Sequence, residues 1–75
     1  MQQPVEVLCD SSAPRAFFWR GQLHSVIEWG RHWTDCDGTH WLVRTTHGHL
    51  YELIWVAAEA SWCLRTPGRP MRLAG

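Results

Sequence analysis

The fold is decided by residues 41–64, WLVRTTHGHLYELIWVAAEASWCL, in which apolar and polar side chains alternate. The pattern predicts a β-hairpin with a three-residue loop, Thr46-His47-Gly48, because Gly48 can take the left-handed conformation that such a loop needs. A two-residue loop would place Val43 opposite Glu52 and mix a charge into the apolar side. The longer loop gives one apolar face, which carries Trp41, Val43, Tyr51, Leu53 and Trp55.

Shorter β-rich runs on both sides of this hairpin complete the predicted sheet. A second hairpin turns at Arg20-Gly21, while residues 5–9 and 62–64 form a first and a last strand. Residues 29–33 either end the strand after the second hairpin or form a short helical turn. The apolar side chains of the second hairpin divide between two faces, with Phe17, Trp19, His24 and Val26 on one and Phe18, Leu23 and Ile27 on the other.

These short strands and tight turns predict an all-β domain. The expected architecture is a small SH3-like barrel or a strongly bent antiparallel sheet of about five strands. Closure into a barrel is favoured because so short a chain can hardly cover exposed sheet edges in another way. All 75 residues form one domain, with irregular ends expected at about residues 1–4 and 66–75.

Composition argues against several classes of function. The formal net charge is zero and there is no Lys, whereas nucleic-acid-binding domains tend to be clearly basic. The three cysteines form no CxxC pair, and no apolar run of signal-peptide type precedes Glu6, so we expect free thiols and a cytoplasmic protein. No apolar run approaches the length of a membrane span, and no membrane partner is expected.

Four short motifs follow one another between Pro14 and Arg65: PRAFFWRG, HSVIEW, HWLVRTTHGHLYEL and SWCL. Together they resemble a family of small actinobacterial domains of unknown function. Some members of that family are encoded near error-prone DNA polymerase genes, so the resemblance implies an accessory role in DNA repair. The resemblance is carried by Phe17, Trp19, Arg20, Gly21, Trp41, Val43, Tyr51, Glu52, Leu53, Trp62 and Leu64.

Histidine and cysteine side chains are concentrated in and around the predicted turns. Cys36-x-x-x-His40 and His47-x-His49 could supply four zinc ligands if the two turns came together, but the spacing matches no strong metal motif. Cys36 beside His32 or His40 could form a thiol–imidazole pair, yet nothing supplies an oxyanion site or a substrate pocket. We therefore predict a non-enzymatic protein without catalytic residues, metal site or cofactor.

Apolar residues on the second face of the strands predict the functional surface. On the registers above, Phe18, Leu23, Leu42 and Ile54 point away from the main core. A contiguous exposed apolar patch marks an interface. The predicted function is therefore an interaction module that binds a protein partner or associates with itself. The competing interpretation is that a bent sheet wraps these side chains into a second small core.

Binding of single-stranded nucleic acid is the alternative function. Partly exposed aromatic rings could stack on bases, and arginine side chains could contact phosphates. The neutral charge and the absence of Lys argue against this alternative. Its candidate residues are Arg15, Arg20, Arg31, Arg44, Trp29 and Trp33.

Overall fold

The computed structural model describes residues 2–11 and 13–65 of the chain. Within these residues the chain forms six β-strands and one short 3-10 turn, Ala57–Glu59, which precedes the last strand. The strands are β1 (Gln2–Asp10), β2 (Ala13–Trp19), β3 (Gln22–Asp35), β4 (Gly38–Thr45), β5 (Leu50–Val56) and β6 (Ser61–Arg65).

The strands pair antiparallel in chain order, and β1 also pairs with β6, so the sheet closes into a barrel. The barrel can close because β1 and β3 each change pairing partner along their length. Residues 2–5 of β1 pair with β6 and residues 6–10 with β2, while β3 pairs first with β2 and then, from Val26, with β4. The predicted all-β class and small barrel are confirmed, with six strands, and the barrel is consistent with the SH3-like type.

The central hairpin has the predicted register. Trp41 lies opposite Leu53 and Val43 opposite Tyr51. The Thr45 amide donates to the His49 carbonyl, and Gly48 has a φ of 84°. The three-residue loop is thereby confirmed, and glycine is favoured at its last position because a side chain at positive φ is strained.

The core consists of five fully or almost fully buried apolar side chains inside the barrel. It is surrounded by half-buried residues, which include Trp41 and Trp62. Both tryptophans pack against the core, and each keeps part of its surface exposed. The five core residues are Phe17, Val26, Val43, Leu53 and Leu64.

Two expectations about irregular segments are wrong. The N-terminal end is not loose from residue 2 onward, because Gln2, Gln3 and Pro4 pair with β6. Residues 29–33 do not end the strand or form a helical turn; they continue β3, which reaches Asp35. Two register shifts in the β3–β4 pairing, which are bulges that bend a strand, let this long strand follow the shorter β4. The expected irregular end at residues 66–75 lies outside the described residues.

Candidate functional site

The outer surface of β1, β2 and β3 carries an exposed apolar cluster, which we call the outer apolar face. Its members are between 42% and 55% exposed. Phe18 and Leu23 lie directly opposite each other, and Leu8 lies opposite Ala16, two residues from Phe18 on the same side of β2. The face therefore extends across three neighbouring strands. It consists of Leu8, Phe18, Leu23 and Ile27.

The other half of the predicted patch is not exposed. Ile54 is fully buried although it points away from the main core, so its expected exposure is wrong. Leu42 is half-buried opposite Glu52. The reason is a second packed cluster outside the barrel, where His40 lies opposite Ile54 and Trp33 stacks on the His40 ring at 4.9 Å. The competing interpretation, a second small core, holds for this side of the sheet.

His40 is the centre of that second cluster. Its side chain is 3% exposed, and both ring nitrogens face carboxylates. Nδ1 lies 2.5 Å from Glu52 Oε2, and Nε2 lies 2.9 Å from Asp35 Oδ1. Both partners are acceptors, so only the protonated imidazolium, with two N–H donors, satisfies both contacts. The Arg65 guanidinium adds a further ion pair to Glu52 at 3.6 Å.

These contacts shift two pKa values in opposite directions. Burial alone would lower the pKa of His40, but hydrogen bonds to Glu52 and Asp35 outweigh it, so the pKa is raised above the ordinary 6.5. The hydrogen bond from His40 is the main reason that the pKa of the Asp35 carboxyl is lowered from 3.8. The cluster is therefore an ion triad that links β3, β4 and β5.

We expect the free energy of unfolding to fall as the pH rises from mildly acidic values through the pKa of folded His40. A pKa that is raised on folding contributes fully to stability below the unfolded value, here about 6.5, and that contribution is lost at higher pH. The lowered pKa of Asp35 has the opposite consequence, since its contribution is lost as the pH falls through the folded value. Urea unfolding at a series of pH values measures both slopes.

Glu52→Gln is the matched variant for this pH test because it keeps the His40 ring and removes one carboxylate. In Glu52→Gln, the fall in the free energy of unfolding with rising pH should be smaller than in the parent. In His40→Gln that fall should disappear. His32→Gln is the control, since that ring stacks on Trp41 and no carboxylate contacts it among the described residues. If the parent, His40→Gln and Glu52→Gln share one pH profile, His40 is not the titrating group.

The zinc set considered from the sequence does not come together. The turn that contains Cys36 joins β3 to β4, whereas His47 and His49 follow β4, so the two pairs lie at opposite ends of that strand. Among residues 2–11 and 13–65, only Asp35, Asp37 and His40 have ligand atoms within 4.8 Å of one another. Both nitrogens of His40 are already bound to carboxylates there, so a metal would have to break the Asp35 contact.

The thiol–imidazole pair is also not formed in the part of the chain that the structure describes. His40 uses both nitrogens on carboxylates, and the His32 ring stacks on Trp41 at 4.8 Å. No hydrogen bond joins Cys36 to either histidine. Cys9, Cys36 and Cys63 are all free thiols, as predicted.

The arginines proposed for nucleic-acid binding have intramolecular partners. Arg44 pairs with Glu28 at 2.7 Å. Arg15 lies 3.8 Å from Asp10 and over the Trp29 ring, and Arg31 lies over Trp33. Arg20 lies over Trp19. It follows the last residue of β2, whereas Arg15 is near the start of that strand.

The two tryptophans of this set are also engaged. Trp29 keeps 37% of its surface exposed and donates its indole N–H to the Pro14 carbonyl at 2.7 Å. Trp33 is half-buried on His40. Four of the candidates therefore form two cation–π pairs whose tryptophans are both on β3, Arg15 with Trp29 and Arg31 with Trp33, whereas Arg20 pairs with a different tryptophan, Trp19.

Two kinds of residue were not among the functional residues predicted from the sequence. Ile27 was placed on the face of Phe18 and Leu23 but was not counted as part of the interaction surface, and Leu8 was not assigned to that face. The signal for Leu8 was available, because period-two alternation directs Leu8 and Val7 to opposite sides of β1. The ion triad of His40, Asp35 and Glu52 had no comparable signal in the one-dimensional pattern. Its members are on three strands and meet only through the cross-strand register.

Comparison with known proteins does not assign this chain to a family. No family model, no curated protein and no solved structure matches the chain. Within the described ranges, the chain has no helix that is long and apolar enough to cross a membrane. The class that the observations define is thus a small closed antiparallel β-barrel with one exposed apolar face.

Proposed function

We propose that this chain is a non-enzymatic interaction module and that the outer apolar face is its docking surface. One observation carries the proposal: Leu8, Phe18, Leu23 and Ile27 are each about half exposed on three adjacent strands, and Phe18 lies directly opposite Leu23. Single exposed apolar residues are ordinary, whereas a contiguous patch of a few hundred Å² on a monomer is often functional.

The contrast with the rest of the barrel strengthens this interpretation. On β4 and β5 the outward-pointing apolar residues are covered, completely for Ile54 and partly for Leu42. The same chain therefore packs its outer surface on one side and leaves it open on the other. A covering partner would remove the open apolar area from water and gain about 25 cal/mol for each Å².

A second copy of this chain is the first partner to test. The formal net charge is zero, so no overall repulsion opposes self-association. The face is also apolar where Phe18 and Leu23 lie opposite each other on two strands. Such a surface is complementary to itself under two-fold symmetry, which is the commonest arrangement of homodimers.

We expect the parent protein to dissociate on dilution and Leu23→Glu to be monomeric while it remains folded. Burial of about 100 Å² at one position contributes about 2.5 kcal/mol before the cost of association, so the variant should associate at least about tenfold more weakly. Sedimentation equilibrium from micromolar to millimolar concentration measures the association, and circular dichroism checks the fold.

Charge complementation distinguishes a symmetric dimer from other contacts. Leu23→Glu and Leu23→Arg should each be monomeric, and a mixture of the two should form a heterodimer if the same face meets itself. Ile54→Glu is the control that should unfold the protein, because Ile54 is buried. If the parent stays monomeric at millimolar concentration, self-association through this face is rejected. The proposed partner of the face is then a different protein.

Single-stranded nucleic acid is the second candidate, favoured by the arginines that lie over partly exposed tryptophans, Arg15 on Trp29 and Arg31 on Trp33. The accessory role in DNA repair that the family resemblance implies belongs to this candidate. Its test is the fluorescence anisotropy of labelled single-stranded DNA across salt concentrations. A steep loss of affinity with salt in the parent, reduced in Arg31→Gln, would support nucleic-acid binding, because each phosphate contact releases counterions.

A further inference from the structure

An open cavity of about 370 Å³ lies between the end of β1 and the strands β4, β5 and β6. We call it the tryptophan cavity. Its volume falls within the range of about 300–1,000 Å³ that is typical of small-molecule sites. Among the described residues, no charged side chain lines it. The lining consists of Cys9, Ser11, Thr39, Trp41, Trp55 and Trp62.

Strand pairing places the three tryptophans of this cavity on one side of the sheet. Trp55 lies directly opposite Trp62 on β6 and Thr39 on β4, and residues opposite each other on paired strands point to the same side. Trp41 is two residues beyond Thr39 on β4, so it shares that side. This is the inner side of the sheet, because Trp41 and Trp62 pack against the barrel core. The cavity wall is therefore an aromatic continuation of the core.

The three indole rings are held in place without being covered. The ring centres of Trp55 and Trp62 are 5.4 Å apart, and their planes are inclined by 54°. The Trp41 ring stacks on His32 at 4.8 Å. Each of the three tryptophans is half-buried, so part of its surface remains open. A ligand in the cavity would meet rings that are already in position, which reduces the cost of ordering side chains on binding.

The charges near the tryptophan cavity favour a cation over an anion. Asp37 is two residues before Thr39 and Glu59 three residues before Trp62, and both acids are exposed. Indole rings carry their negative potential on the ring face, which attracts cations. The arginines within four residues of a lining position are each ion-paired, Arg15 with Asp10, Arg44 with Glu28 and Arg65 with Glu52.

The polar atoms of the lining favour a cation without N–H donors. A primary ammonium group has three such donors, and each needs an acceptor when water is removed. The lining side chains offer two hydroxyls and one thiol, and the hydroxyls of Thr39 and Thr34 already share a hydrogen bond of 3.2 Å. A quaternary ammonium group needs no acceptor, and contact with aromatic ring faces is the usual mode of its recognition.

We propose that the tryptophan cavity binds a small molecule that carries a trimethylammonium group. The group lies among Trp41, Trp55 and Trp62, where its charge meets the indole rings, and the rest of the molecule extends to solvent through the open side. The cavity is on the inner side of the sheet, whereas the outer apolar face is on the outside of the barrel. Binding in the cavity therefore does not depend on self-association.

Change in the indole N–H signals of the full chain, measured by NMR titration with choline at constant ionic strength, tests the proposal. Two matched compounds separate charge from shape: 3,3-dimethyl-1-butanol keeps the shape without the charge, and ethanolamine keeps the charge without the methyl groups. We expect choline to bind, and each of the other two to bind about tenfold more weakly or worse. Equal binding of choline and 3,3-dimethyl-1-butanol would overturn the proposal, and so would no binding of choline at high millimolar concentration.

Variants at Trp55 assign the binding to the tryptophan cavity. This position is chosen because Trp41 and Trp62 pack against the core. Trp55→Leu keeps an apolar side chain without a ring and should weaken choline about tenfold or more, whereas Trp55→Phe keeps a ring and should weaken it less. Trp29→Leu is the control, since Trp29 does not line the cavity and the variant should bind choline as the parent does. Equal binding by Trp55→Leu and Trp29→Leu would place the site elsewhere and overturn the proposal.

Two further measurements keep the result distinct from other interpretations. Leu23→Glu, which disrupts the outer apolar face, should bind choline as the parent does, so failure of self-association and failure of choline binding are distinguishable. A peptide with trimethyllysine that binds about tenfold more tightly than choline would assign the group to a protein side chain and overturn the small-molecule source. If Trp55→Leu does not fold, Trp55→Phe and the comparison of choline with 3,3-dimethyl-1-butanol still decide.

Discussion

Phe17→Ala is expected to lower the free energy of unfolding by about 3–5 kcal/mol, the usual range for truncation of a buried phenylalanine. The Phe17 side chain has no exposed surface and lies in the barrel core, stacked on His24 and edge-on to Tyr51. A domain of this size has little stability to spare, so the variant should be largely unfolded at room temperature. Urea denaturation followed by tryptophan fluorescence measures the effect.

Phe18→Ala is the matched control, because the two phenylalanines are adjacent on β2 and point to opposite faces. Phe18 is 42% exposed on the outer apolar face. In dilute solution, where association is absent, its replacement should change stability by about 0.5 kcal/mol or less. At high concentration Phe18→Ala should associate more weakly than the parent. Equal destabilisation by the two substitutions would mean that the two faces of β2 are assigned wrongly.

Gly38→Ala is expected to have the second-largest effect, a loss of about 2–5 kcal/mol from combined backbone strain and overlap. Gly38 begins β4 with a φ of 144°, a conformation that side chains rarely adopt. A Cβ atom there would lie 2.2 Å from the carbonyl oxygen of Trp55, and that oxygen belongs to the backbone of β5. The strands would have to separate where Thr39 pairs with Trp55.

Gly48→Ala separates the overlap at Gly38 from the effect of positive φ alone. Gly48 has a φ of 84°, and a Cβ atom built there meets nothing within 4 Å. Its replacement should therefore cost only about 1–2 kcal/mol, the conformational penalty of a left-handed residue. Thermal unfolding of both variants under one set of conditions gives the comparison. If Gly38→Ala and Gly48→Ala have the same melting temperature, the close approach of β4 and β5 is not rigid.

Two features of this protein were predictable from short segments of the sequence. Gly48 and the alternation around it determine the register of β4 and β5, because a slip of one residue would move Glu52 to the apolar face. The alternation in residues 17–27 likewise separates Phe17 and His24, which are buried, from Phe18 and Leu23, which are exposed. Both results come from neighbours in the chain, where the period-two geometry of a strand acts directly.

Only the tertiary structure determines which outward-pointing side chains are buried and which stay exposed. Ile54 and Leu23 have the same pattern in the sequence, yet Ile54 is buried and Leu23 is half exposed. The difference arises because the bulged end of β3 places Trp33 on His40, beside Ile54, and nothing similar among the described residues covers Leu23.

Two buried histidines show the same dependence on the tertiary structure. His40 is an imidazole with two carboxylate partners, and His24 is an imidazole with none in the described residues. The two partners of His40 follow from the β3–β4 and β4–β5 pairings, which bring Asp35 and Glu52 to its ring from the neighbouring strands. Local alternation determines which way a side chain points, whereas the elements that meet it there depend on pairings between distant parts of the chain.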